Sequence, residues 1–173
     1  MANDSRAARL LLSWNWKTGL LSGCIRASLF ASFAIRAGEA AAVRAALLEI
    51  ALITILAGFQ GALTQAFRRN PSWRTAFVCA GITASISHPA EWLVHAWAGT
   101  PNATSGVLLS FLYTVVATRF SLLAMHRGAF IAGTDARSIW DDLRQVPVLI
   151  LAFAGIAPPS DQTRPHRNVQ NVS

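Results

Sequence analysis

Apolar residues run along this chain in four long blocks, at about 20–37, 42–67, 73–98 and 106–127, separated by short polar joints. Each block approaches or exceeds the roughly 20 residues that a helix needs to cross a bilayer. The joints carry strong breakers. Arg68-Arg69-Asn70-Pro71 closes the second block and Gly99-Thr100-Pro101-Asn102 the third. A last apolar run, Val146–Ala157, is only about a dozen residues. The pattern predicts an all-α, polytopic integral membrane protein built as a four-helix transmembrane bundle. Residues 128–157 are expected to form an amphipathic region and a short apolar segment, interfacial or re-entrant, or a fifth span if Ile139 upstream is recruited. Residues 1–19 are expected to be a cytoplasmic segment with an interfacial anchor, because Trp14 and Trp16 stand beside Lys17. The polar, proline-bearing stretch 158–173 is expected to be disordered.

Composition supports the bilayer. Of 173 residues, 53% are hydrophobic and 13% charged, and mean hydropathy is +0.40. A soluble domain carries about 25% charged residues. A soluble helical core would also tolerate interrupted apolar runs, but the block lengths match a membrane better. The net charge of +7 would suggest nucleic acid in a soluble chain. Here Lys and Arg gather at block ends, and the basic runs Arg68-Arg69 and Arg164–Arg167 hold no aromatic residues for base stacking. Nucleic acid is therefore not an expected partner; the lipid bilayer is, together with other membrane subunits or further copies of the chain. Arg68, Arg69 and Arg74 mark one joint, none marks the next, and Arg127, Arg137 and Arg144 follow block four. That alternation puts both termini in the cytoplasm, although Arg36 and Arg44 against Glu39 weaken it. No cleaved signal is expected, since the run Leu10–Trp16 is short and no small-x-small site follows it.

Within the blocks, Gly19 and Gly23 allow close helix approach, and Thr54, Ala57, Gly58 and Gly61 form a packing stripe. Gln60 and Gln65 read as interhelical hydrogen-bond partners, and Cys24 and Cys79 as small buried hydrophobes.

The chemistry lies in ionisable residues at membrane depth: Arg26, Glu49, His88, Glu91 and Arg119. A charge at the bilayer centre costs roughly 2.5–3.5 kcal/mol on insertion scales, so such groups turn inward and pair. Two arginines and two glutamates at similar depth are expected to meet in one cluster and cancel. Such a cluster serves either to fix helix register or as an ion, proton or substrate site. His88, Glu91 and His95 share one helical stripe at i, i+3 and i+7, a partial shell for a transition metal or a proton relay. No second histidine stands at matching depth for a bis-histidine haem, and no cofactor is assigned. Pro89 predicts a helix kink, or a break into two half-helices. Asp135, Asp141 and Asp142 read as a solvated face. No nucleophile motif or phosphate-cradling loop supports an enzyme. The leading expectation is a structural or accessory membrane subunit. Its rivals are a small oligomeric transporter or proton-coupled channel and a membrane metalloprotein.

Overall fold

The computed structural model describes residues 14–134 and 136–156. It contains α1 (Trp16–Ala34, continued by a 3-10 turn Ile35–Ala37), α2 (Glu39–Ala66), α3 (Trp73–Trp97), α4 (Ala103–His126) and α5 (Ile139–Phe153). Among the described residues there is no strand. Residues 1–13, Asp135 and the stretch 157–173 lie outside them, and with them most of the expected cytoplasmic segment and the expected disordered tail.

Three helices are long and apolar enough to cross a membrane: Trp16–Ala37, Glu39–Ala66 and Ala103–His126. Helix α3, at 25 residues, is long enough, about 37 Å, yet less apolar, since His88, Glu91 and His95 lie on it. Its outer face is nonetheless apolar: Phe77, Val78, Ile82, Ile86 and Leu93 are each more than half exposed. The whole molecule is arranged in that sense. Most large aliphatic and aromatic side chains point outward, while the interior holds alanines and a few large apolar groups (Phe30, Ile53, Leu122, Met125, Leu149) together with Lys17, Arg26, Glu49, Glu91, His95 and Asp142.

The first helix starts four residues earlier than the apolar block. Asn15 caps it, its side chain accepting from the Thr18 amide at 3.2 Å, so Trp16 to Gly19 become its first turn. Helix α1 then reverses through Gly38, at φ +109°, into α2. The expected packing stripes meet across this pair. A Cβ added to Gly19 would stand 2.5 Å from the Thr54 carbonyl oxygen, and one added to Gly58 would overlap the Trp14 indole. The Asn15 amide donates to Gly58 O at 3.0 Å, and Trp14 Nε1 donates to Ile55 O at 3.1 Å. Gly58→Val is expected to abolish recovery of monodisperse protein in detergent, whereas Gly81→Val, with nothing near its Cβ position, leaves recovery unchanged.

Of the two glutamines, Gln60 bonds another helix as the sequence suggests, whereas Gln65 ties a helix cap to a loop. Gln60 Nε2 donates to Thr118 Oγ1 at 2.6 Å, and Gln65 bridges Asn15 and the backbone of Ala132. Helix α5, at 15 residues or about 22 Å, is shorter than the ~30 Å hydrocarbon layer. It docks through Leu149 against Ala124 and Phe130 and through an ion pair that corrects two sequence expectations. Lys17 is no interfacial anchor and Asp142 no part of a solvated face. Both are fully buried, with Lys17 Nζ donating to Asp142 Oδ2 at 2.5 Å and to Arg137 O at 2.6 Å.

Candidate functional site

Arg26 stands ten residues into α1, about 15 Å from its start, where an unpaired guanidinium would be intolerable. Its Nε donates to Glu49 Oε1 of α2 at 2.9 Å, and its Nη2 donates to Glu91 Oε2 of α3. Each carboxylate also holds a histidine. His88 Nδ1 lies 2.7 Å from Glu91 Oε2, and His95 Nε2 lies 3.0 Å from Glu49 Oε2. All five side chains are buried.

The two halves differ. Glu49 uses both oxygens, one for Arg26 and one for His95. The His95 ring stacks on Phe30, with centroids 4.1 Å apart and planes 13° apart. Its Nδ1 meets Thr100 Oγ1 at 3.0 Å, and that hydroxyl can donate to a neutral imidazole or accept from a charged one. Glu91 places one oxygen against both Arg26 and His88, which leaves Oε1 buried and bare. His88 Nε2, Ser87 Oγ and Ser110 Oγ are likewise buried with no hydrogen-bond partner among the described residues. Beside Arg26 a polar cavity of about 20 Å³, near the minimum for one water, runs among Ser22, Gln60, Tyr113, Thr114 and Thr118.

Four of the five expected cluster residues thus come together, and Arg119 does not. It stands seven residues before the end of α4, about 10 Å deep, roughly one turn shallower than Arg26. There its guanidinium lies 5.5 Å from the Trp73 ring centroid, within cation–π range, so two arginines do not cancel two glutamates. The metal stripe divides as well. His88 serves Glu91 and His95 serves Glu49, and among the described residues no three His, Cys, Asp or Glu side chains converge to hold a metal ion. Pro89 sits inside one continuous helix, which overturns the half-helix break. His126 Nδ1 meets the Arg68 carbonyl at 3.1 Å, at the opposite end from His95.

Sequence reading missed the Glu49–His95 pair and the polar face of α4. The second had a signal: Gly106, Ser110, Thr114 and Thr118 recur at i, i+4, and all four are buried. The first had none, because Thr100 and the ring of Phe30 draw His95 inward from a position that depth alone puts at the headgroups.

Charge then decides the chemistry. One guanidinium faces two carboxyl groups, so with both ionised and both histidines neutral the buried network is one negative charge in surplus. A single proton on a histidine or a carboxylate removes it. No family model, curated protein or solved structure matches this chain.

Proposed function

We propose that the protein is a small membrane transporter that couples to protons, with α1 to α4 as its four spans and both termini on the cytoplasmic side. The observation that carries this reading is a buried network on three helices in which one guanidinium meets two carboxyl groups and each carboxyl group meets an imidazole. Burying an uncompensated charge is strongly unfavourable, so the buried network holds one proton among Glu49, Glu91, His88 and His95. That proton has several neighbouring acceptors, and Glu91 Oε1 and His88 Nε2 offer it unoccupied positions. Two simple ion pairs would fix helix register without either. Helix α3 qualifies as the fourth span because its polar groups face inward and its exposed face is apolar. The cytoplasmic assignment rests on the arginines at 68, 69, 74 and 127, which cluster at the Lys17 end of the bundle.

Proteoliposomes loaded with a pH-sensitive dye test this directly. The wild-type chain is expected to dissipate an imposed proton gradient faster than empty vesicles do. Glu91→Gln is expected to slow that flux by about 10²-fold, the scale of losing a proton-transferring group, while the helical signal and elution volume stay unchanged. A folded, inserted wild-type chain with no proton flux, alone or with added solutes, sinks the reading. The network would then serve helix register in an accessory subunit, the reading that the absence of a catalytic motif favours.

A further inference from the structure

A second cavity, of about 280 Å³, lies between α1, α4 and α5. Its walls are apolar: Leu21, Ile25, Phe120, Phe130, Leu143 and Val146. Ile25, 45% exposed, stands on the outward side of α1. The remaining lining is different in kind. It includes the hydroxyl-bearing Ser22, Tyr113 and Ser121, which also line the small polar cavity beside Arg26, while Thr18 lines both but turns its hydroxyl to the Asn15 and Ala57 carbonyls. An apolar crevice on the flank of two membrane-length helices therefore ends on a hydroxylated floor shared with the ion network.

The charge of that floor limits what fits. Arg26 lines the inner cavity and neither carboxylate does, so a cationic head placed there meets a guanidinium and no acceptor for its charge. The guanidinium is already engaged by Glu49 and Glu91, so it offers no free charge to an anionic head. Hydroxyls that both donate and accept suit a neutral hydrogen-bonding head. The volume is at the low end of the ~300–1,000 Å³ typical of ligand pockets and suits one short chain rather than a two-tailed lipid.

We propose that this crevice binds an uncharged single-chain amphiphile, of the medium-chain alcohol class, which enters from the bilayer. Its chain lies along Leu21, Phe120 and Val146, and its head sits among Ser22, Tyr113 and Ser121. The proposal goes beyond proton movement and rests only on α1 and α4 being lipid-embedded. Helix α5 supplies Leu143 and Val146 as one wall, and the Lys17–Asp142 pair holds that wall in place.

Photolabelling of the full chain in proteoliposomes with a diazirine-bearing octanol is the test. Labelled peptides are expected to map to residues 21–25, 113–121 and 143–146. Excess octanol should suppress the labelling, and octanoate or octylammonium at equal membrane concentration should not. Ala117→Leu, which fills the space the two cavities share, is expected to cut labelling about tenfold. Val146→Trp on the less constrained α5 wall gives a second occlusion if the first variant misfolds. Diffuse, unsaturable labelling of all lipid-facing helices overturns the site, and equal competition by the ions overturns the ligand class. A chain that inserts and passes protons but is not labelled sinks only this proposal. One that fails to insert sinks the transport reading with it.

Discussion

Arg26→Met is expected to destabilise the bundle by about 3–5 kcal/mol, the usual consequence of removing one partner from a buried ion pair. The reason is electrostatic. Arg26 donates to Glu49 and Glu91 at once, so its loss removes the permanent positive charge that both buried carboxyl groups share. The folded variant must then take up a further proton, and His88 and His95 are placed to receive it against their carboxylates. A folded state that binds more protons than the unfolded chain gains stability as pH falls. The Arg26→Met defect should therefore shrink at lower pH, in a titration of unfolding by denaturing detergent. Adding Glu49→Gln and Glu91→Gln to Arg26→Met removes both stranded charges and is expected to recover most of the loss. If the triple variant is as unstable as Arg26→Met alone, ionic pairing is not what holds these helices in register.

The contrast between Arg26 and Arg119 shows what the sequence could and could not say. Depth along a helix follows from counting residues, and counting correctly placed Arg26, Glu49 and Glu91 at one level. Which way a side chain faces depends on the rotation of each helix, and that is set by packing. Gly19, Gly23, Thr54 and Gly58 fix the rotation of α1 on α2 through near-backbone contact, and this pattern was legible as small residues at fixed spacing. On α4 the stripe Gly106, Ser110, Thr114 and Thr118 marks the inward face, and Arg119, one residue off that stripe, lies against Trp73 rather than in the cluster that depth alone suggests. His95 shows the same limit from the other side. Its partner Glu49 is 46 residues away, and the stacking Phe30 comes from a third helix. Helix boundaries, by contrast, were readable within a few residues, because Pro71, Gly99 and the Arg68-Arg69 pair act locally. The start of α1 was the exception. Its signal was the Asn15 cap, which the tryptophans around it concealed by resembling an interfacial anchor.

Lys17→Met is expected to release α5 from the bundle while α1 to α4 remain folded. Asp142 is fully buried, its Oδ2 accepts from Lys17, and its Oδ1 has no partner among the described residues. Removing the ammonium strands that carboxylate, a defect of about 3–5 kcal/mol if the structure cannot move. It can move, because α5 is held by one apolar face, Leu149 with Leu143 and Val146 and the Phe153 ring against Trp73 and Phe120, and follows a loop rather than a span. Swinging α5 outward returns Asp142 to water, where it also favours the first turn of its own helix together with Asp141. The loss should therefore appear as local opening rather than global unfolding. Amide exchange over residues 139–153 is expected to rise by orders of magnitude, with exchange in α2 and α3 unchanged. Asp142→Asn should have a smaller effect, since Lys17 keeps the Arg137 carbonyl as an acceptor. Lys17→Met combined with Asp142→Leu leaves no buried charge and should restore docking to near wild type. If Lys17→Met instead melts all five helices together, α5 is an integral part of the bundle and does not open as a separate wall.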